Sequence, residues 1–441
     1  MKMFEKAMVV LGLTCGIVSA HQAYGQALNR TVFVSNNGNL EGSVTALQVD
    51  ANDELVFVNR IVTGTRASLN DPCAFCNAYD ITITPDGKYV AAGHAAGVVD
   101  GVSIFSVNPD SSIQTAGLFQ FSDTPIDLTW VTNDLLAVVL SDQSPDRVAI
   151  YRFNPAVPSL TLQDFEFAGT GTSYIVAHPS GEYVFVNDSS GARQIISFRV
   201  SPTGMLTQVD TATTGAPFAL ELAISPDGSK IYGAGGISDG GNKVTGFSVD
   251  AMGMVDGLAG TPFISQGASP SNVFVTRDDK FVVVGHGTDA TMRTMSIDQV
   301  TGALTATGFM FDVGQQGTLG DVHTLPGLAF VTDNSTSSDG LMGIYSFKIG
   351  NDGSLTQLGP IVSTQGIAPR SIVAWDPPVT PPQCDGDTNG DGQVDGADLS
   401  VLLANFGDMV APGTSGDLNG DGQVDGADLS VLLSQFGCGV K

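Results

Sequence analysis

The feature that most constrains this chain is a recurring unit of about 47 residues. The segments ITITPDGKYVAAG (81–93), IVAHPSGEYVFVN (175–187), LAISPDGSKIYGA (222–234) and VFVTRDDKFVVVG (273–285) share one plan. An alternating apolar stretch runs into a Pro/Asp/Gly turn, and a second apolar stretch leaves it. Period-2 alternation broken by turn residues predicts a β-hairpin. A third strand follows in each unit, such as VSIFSVN (102–108), QIISFRV (194–200) or VTGFSVD (244–250), and a fourth apolar stretch completes it. The turns begin at Asp86, Asn133, Ser180, Asp227, Asp278 and Pro326, with spacings of 47, 47, 47, 51 and 48. Four strands per unit at a steady period predict a β-propeller, because a β-sandwich has no reason to keep one period through six copies.

The ends supply the seventh unit. Residues 31–63 hold three strands and lack a first one; residues 368–376 (APRSIVAWD) read as a solitary first strand. Pairing the two closes a seven-bladed ring and removes two exposed sheet edges. Residues 26–376 are therefore assigned to the propeller. The Ser225-Pro226-Asp227-Gly228 turn, the KYV and KIY strands after such turns, and the Phe105-Ser106-Val107 and Phe247-Ser248-Val249 third strands carry a resemblance. Over roughly residues 30–376 the pattern resembles the seven-bladed lactonase-like propellers of the YVTN and 6-phosphogluconolactonase type. The resemblance implies the architecture; a shared fold does not fix an activity.

Candidate chemistry in the propeller falls at two places. Seven residues past the turns lie His94 and His286, each after a Gly, on the loops of one face. A polar loop residue is the leading reading of each, with a metal ligand or a general base as the alternatives. Seven residues before the second residue of each turn (Gly87, Asp134, Gly181, Gly228 and Asp279) come Asp80, Asp127, Tyr174, Glu221 and Asn272, at the start of the innermost strands that line the channel. The three carboxylates fit a cation site, an acid and base, or simply a polar channel mouth. Related lactonases are thought to use His, Arg and Glu near the channel. Their Gly-Pro-Arg-His strand start is absent; its nearest equivalents are Gly171-Thr172-Ser173-Tyr174 and Ala368-Pro369-Arg370, and Asn187-Asp188 stands for a frequent Asn-Glu. His178 lies in a turn on the opposite face.

Residues 1–25 read as a secretory signal, with Lys2 and Lys6 before the apolar run 7–20 and Ala23-Tyr24-Gly25 before a cut at Gln26. The mature protein is thus expected outside the cytoplasm, where its remaining cysteines, Cys73, Cys76, Cys384 and Cys438, favour disulfides. Cys73 and Cys76 fall in an insertion between the first two blades (68–78). A loop disulfide is the leading reading, with a redox pair or a zinc half-site as alternatives.

A proline-rich linker at 377–383 precedes a change of composition. NGDGQVDGADLSVLL occurs at 389–403 and again, unchanged, at 419–433. Each copy places oxygen-bearing side chains at the spacing of an EF-hand calcium loop, followed by a short apolar helix. The ligand positions are Asp387, Asn389, Asp391, Gln393 through its carbonyl, Asp395 and Asp398, then Asp417, Asn419, Asp421, Gln423, Asp425 and Asp428, with Gly392 and Gly422 at the sharp turns. Two Ca²⁺ sites are expected. The final Asp in place of Glu, the missing entering helix and the duplication closely resemble a type I dockerin over 384–441. That resemblance implies a cohesin-type partner, or another cell-surface component, chosen in part by Gly396-Ala397 and Gly426-Ala427. A pseudo-symmetric module brings its ends together, which predicts a Cys384–Cys438 clasp.

The formal charge of −27 excludes a phosphate-backbone binder. A third of it sits in the last 58 residues, which hold ten Asp, no Glu and one Lys. Two functions are open: an exported scaffold docked through calcium, or a lactonase or carbohydrate-related hydrolase carried on a dockerin.

Overall fold

The computed structural model describes residues 29–95, 99–141, 144–190, 193–213, 220–236, 241–313, 319–334, 342–377, 384, 386–391 and 393–438. The signal segment 1–25, linker residues 378–383 and Gly392 lie outside them. The chain divides into two compact units, residues 1–373 and 374–441.

The first unit is a seven-bladed β-propeller with antiparallel pairing within each blade. Blade 1 has the order Pro369–Trp375, Thr31–Asn37, Glu41–Val49, Leu55–Thr65, so the C-terminal strand does close it. Ala374 and Trp375 thereby belong to this sheet, although the division of the chain falls just before them. Blade 2 runs Ala78–Ile83, Tyr89–His94, Asp100–Val107, Ile113–Phe121, and blades 3 to 7 repeat the plan from innermost strands Pro125–Trp130, Thr172–Ala177, Leu220–Ile224, Pro270–Val275 and Leu319–Leu325. Blade 5 departs from it: the short strand Phe263–Ile264 also pairs with Lys243–Val249.

Burial explains the strand composition. Second strands such as Tyr183–Asp188 and Leu135–Leu140 are buried at every residue, whereas the outermost strand Ile113–Phe121 is half exposed. The apolar core lies between blades. Val139, Val148 and Ile150 of blade 3 pack against Val184, Val186 and Phe198 of blade 4, and Ala223, Tyr232 and Val244 of blade 5 against Val273, Val282 and Met295 of blade 6. Burying each Val, Ile, Phe or Met among them is worth about 1.5–3 kcal/mol. The Pro/Asp/Gly turns require a left-handed residue at their last position, which Gly87 supplies at φ +72°.

The 68–78 insertion holds the Cys73–Cys76 disulfide, with Cys73 and Cys76 buried. The loop lies directly on the strands of blade 1. A Cβ on Gly64 would overlap the Ala74 carbonyl, so only glycine permits that approach.

The second unit contains helices α1 (Gly396–Ala404) and α2 (Gly426–Ser434). Asp395 and Asp425 cap them, each in a capping box with the Asp three residues on. Val394, Leu402, Val424 and Leu432 form the small core. Its pairing is crossed. Val394 N donates to Cys438 O (2.9 Å) and Gly437 N to Val394 O (2.8 Å); Gly407 N donates to Val424 O (2.8 Å) and Val424 N to Asp408 O (3.1 Å). Each loop thus binds the chain leaving the other copy's helix. This internal two-fold brings the ends together, and Cys384 and Cys438 are bonded.

Candidate functional sites

Each innermost strand presents one residue to the channel just before a buried aliphatic side chain. Around the ring these are Asp80, Asp127, Tyr174, Glu221, Asn272, Asp321 and Ser371. They line a cavity of about 350 Å³. The aliphatic followers, from Ile81 and Leu128 round to Val322 and Ile372, lock the strands into the core.

The polar ring staples neighbouring blades. Asp80 Oδ2 accepts from Leu128 N of blade 3 (3.0 Å), Asp127 Oδ2 from Ile175 N of blade 4 (2.6 Å), and Asp321 Oδ2 from Ile372 N of blade 1 (3.0 Å). Glu221 Oε2 accepts from Asn272 Nδ2 of blade 6 (2.7 Å). The Ser371 hydroxyl lies 2.8 Å from both Asp80 Oδ1 and Asp321 Oδ2, and its single proton serves one at a time.

Two carboxyl pairs result, Asp80 with Asp127 and Asp321 with Glu221. Burial first, and the neighbouring carboxylate second, push Asp127 and Glu221 well above the usual range. A hydrogen bond between two carboxyl groups needs a proton, which the members of each pair share. Burial also raises Asp321. Burial and the nearby Tyr79, Glu221 and Asp127 keep the Tyr174 hydroxyl protonated. Arg370 lies over the Tyr79 ring at 3.6 Å, and His323 packs on Phe274 at 3.8 Å with its imidazole held neutral by burial.

The ring thus gathers Asp80, Asp127 and Glu221 with Tyr174 and Asn272. Asp321 and Ser371 were missed. The seventh turn, Leu325–Leu328 around Pro326-Gly327, is shorter than the others, so counting back seven residues lands on Gly320. Counting back from the aliphatic followers finds both.

His94 and His286 are not loop residues. Each ends a second strand and is fully buried. His94 Nε2 lies 2.7 Å from Ser103 Oγ and its Nδ1 3.2 Å from Cys76 O; His286 Nε2 lies 2.9 Å from Ser265 Oγ. Burial lowers each to about 4, and neither lines the cavity. They are interior struts, and His94 ties the disulfide loop to blade 2. His178 sits in its turn, with Nδ1 2.8 Å from Ser180 Oγ.

In the second unit, Asp387 Oδ1 accepts from Gly390 N (2.7 Å), Asp391 Oδ1 from Gln393 N (3.0 Å), and Asp398 Oδ1 from Thr388 N (2.8 Å). The second copy repeats this through Asp417, Asp421 and Asp428. Desolvation pushes Asp398 and Asp428 up, but backbone N–H donors outweigh it and hold both carboxyls below their ordinary value. Asp395 and Asp425 act as helix caps. The donor set of each loop is all hard oxygen, which fits Ca²⁺.

A seven-bladed ring around a polar channel, joined to a duplicated loop–helix module, defines the class. In particular, residues 168–320 match the family of seven-bladed β-propeller lactonases, and residues 385–436 match the type I dockerin domain. The chain therefore joins a lactonase-like propeller to a type I dockerin-like module. Similar solved structures include the periplasmic gluconolactonase of Pseudomonas aeruginosa (19% identity, TM-score 0.59, 79% of this chain and 99% of that one). A protein from Lactobacillus plantarum (14%, TM-score 0.63, 79% and 100%) is another. A Bacteroides fragilis protein assigned as a candidate 6-phosphogluconolactonase is a third (17%, TM-score 0.62, 79% and 98%). At these identities the likeness shows the fold. No curated protein matches the chain. Among the described residues no helix is long and apolar enough to cross a membrane.

Proposed function

We propose that this is an exported protein whose C-terminal module docks it, in a calcium-dependent way, to a cohesin-type partner, while the propeller serves as a binding scaffold with the channel as its ligand site. The observation that carries this reading is the exact duplication of the Asp-rich loop on an internal two-fold. Calcium would be held by Asp387, Asn389, Asp391, Asp395, Asp398 and the Gln393 carbonyl, and by Asp417, Asn419, Asp421, Asp425, Asp428 and the Gln423 carbonyl. Bound there, it would neutralise the crowded carboxylates. The chain's own contribution is to pre-order them, since backbone N–H groups already orient Asp387, Asp391 and Asp398. The test is capture of the full-length protein on a panel of cohesins. Binding should vanish in EDTA and in Asp398→Asn/Asp428→Asn; capture unchanged by EDTA refutes the reading.

A second reading, hydrolysis of a lactone in the channel, is favoured by the proton-sharing carboxyl pairs beside Arg370. It predicts turnover on a lactone panel that falls in Asp127→Asn or Glu221→Gln. A panel without turnover removes it.

A further inference from the structure

We propose that Asn389 and Asn419 are sites of spontaneous covalent modification. In the calcium-free module each side chain closes on the nitrogen of the following glycine and becomes aspartate or isoaspartate, and bound calcium blocks the step. This rests on the reading of the two loops as calcium sites.

The dipeptide Asn-Gly occurs three times in the chain, at 37–38, 389–390 and 419–420. Glycine is the most permissive residue to follow an asparagine, because no Cβ shields its nitrogen or narrows its dihedrals. Two of the three pairs fall at the same place in the duplicated loops. There Asn389, Gly390, Asn419 and Gly420 are all exposed. Gly390 and Gly420 stand at φ +77° and +75°, and beyond the adjoining residues no atom lies within 4 Å of where a Cβ on either would be. The third pair is enclosed. Asn37 ends the strand Thr31–Asn37, its N donates to Ala368 O (2.8 Å), its side-chain oxygen is shut from solvent, and Gly38 is buried.

The loop gathers the reacting groups. Gly390 N donates to Asp387 Oδ1 (2.7 Å), and Gly420 N to Asp417 Oδ1 (2.9 Å). Each carboxylate is placed to take the amide proton as the nitrogen attacks the Asn Cγ. A C–N bond forms, the proton passes on to the side-chain nitrogen, and that nitrogen leaves as ammonia from a cyclic succinimide. Water then opens the ring. Cleavage at the former side-chain carbonyl gives aspartate; cleavage at the main-chain carbonyl gives isoaspartate, whose backbone runs through Cγ and is longer by a methylene. Nothing is oxidised or reduced: amide and water become carboxylate and ammonium.

Calcium opposes the step at both ends. In the free loop the Asn389 carboxamide is held by its neighbour Asp391: Oδ1 accepts from Asp391 N (2.8 Å) and Nδ2 donates to Asp391 Oδ2 (3.1 Å). Asn419 repeats this with Asp421 (2.8 Å and 3.0 Å). Both bonds lie on exposed residues, where water competes for them. The Asn oxygen and the Asp387 or Asp417 carboxylate are also ligand positions, so occupancy fixes the electrophile and withdraws the base. Isoaspartate at 389 displaces Asp387 by a methylene relative to Asp391, Gln393, Asp395 and Asp398, and the loop no longer presents its ligands at one spacing. The reaction is irreversible, so a module left without calcium loses the site permanently.

The experiment first titrates fresh full-length protein with calcium chloride in a calorimeter. The same protein is then aged at mildly alkaline pH in EDTA, and in parallel in calcium at about a hundredfold excess over the measured dissociation constant. Mass spectrometry reads the amide-to-acid mass gain in the two loop peptides, told apart by Thr388 and Leu418, and enzymatic methyl labelling identifies isoaspartate. With only the unoccupied loop reactive, calcium at that excess leaves about 1% of the loops open and slows the gain about 100-fold. Asn37 should stay unchanged in both samples, and protein aged in EDTA should lose calcium binding in proportion to its isoaspartate. Slowing by less than about tenfold in protein that binds calcium, or conversion of Asn37 as fast as that of Asn389, overturns the inference and leaves the calcium sites standing. Loops that stay unmodified in EDTA while the same chain in urea converts its Asn-Gly pairs overturn it as well. Fresh protein that binds no calcium overturns both.

Discussion

Replacing Cys384 and Cys438 by serine tests the module where it is most dependent on one bond. The bridge closes a sequence separation of 54 residues. A cross-link over that length removes about 4 kcal/mol of chain entropy from the unfolded state at 25 °C. The fully buried apolar side chains of the module are Val394, Leu402, Val424 and Leu432. The bridge is therefore worth as much as about two of them, at about 1.5–3 kcal/mol each. Bound calcium stabilises in the same direction: a site held at a hundredfold excess over its dissociation constant adds about 2.7 kcal/mol. Two occupied sites would more than replace the bridge. The assay is hydrogen exchange read by mass spectrometry on the full-length double variant. In EDTA, peptides covering α1 and α2 should exchange about 10³-fold faster than in the unaltered protein. Excess calcium should restore most of that protection, and propeller peptides should not change. Protection in EDTA that stays within about tenfold of the unaltered protein, or acceleration shared equally by the propeller, would refute the entropy argument.

In the channel, Asp127→Asn keeps an acceptor for Ile175 N and removes only the shared proton, whereas Asp127→Ala leaves that buried N–H unpaired. The alanine variant should be destabilised by about 1–3 kcal/mol and the asparagine variant by less, as read from denaturant midpoints. Because the folded values of Asp127 and Glu221 are raised, their protonation stabilises the propeller fully below about pH 4 and is lost as pH rises through the folded values. Asp127→Asn/Glu221→Gln should flatten that decline in a series of melts against pH. His94 runs the other way. With its folded value lowered from 6.5 to about 4, it contributes about 3 kcal/mol that is present above 6.5 and lost as pH falls through that window. His94→Gln should reduce the acid-side loss; an unchanged acid limb would show that His94 is not what titrates.

The repeat was enough to place seven blades and the closing strand, because period and turn chemistry are local properties. The duplicated loop and its helix were equally legible, since each copy is a short, local stretch of sequence. The channel was legible only in part. Asp80, Asp127 and Glu221 follow from counting, but which oxygen meets which amide depends on the neighbouring blade, and Asp321 escaped because one hairpin is a residue tighter. The two histidines show the opposite failure. A Gly-His pair after a strand looks like a loop in sequence, and only the packing of Phe75 against His94 (5.5 Å) and of Ser265 against His286 puts them inside.

Ring closure and the ligand cavity depend on the same strand. Pro369–Trp375 pairs with Thr31–Asn37, and Ser371 N donates to Ser35 Oγ (3.1 Å) across a sequence separation of 336 residues. That strand also carries Arg370, the one guanidinium of the cavity lining among the described residues, and Ser371, which bridges the two carboxyl pairs. Neither acts until the ends of the propeller have met. Before closure, Asp80 and Asp321 lack the hydroxyl between them, and Asp321 lacks the Ile372 amide. The carboxyl pairs would then face water and ionise more readily, and their mutual repulsion would oppose the approach of the blades. Closure desolvates them, supplies the donors and makes proton sharing the lower-energy state. The proton sharing of the channel carboxyl pairs is therefore a property of the closed ring, and a chain cut before Pro369 should lose it together with the fold of blade 1.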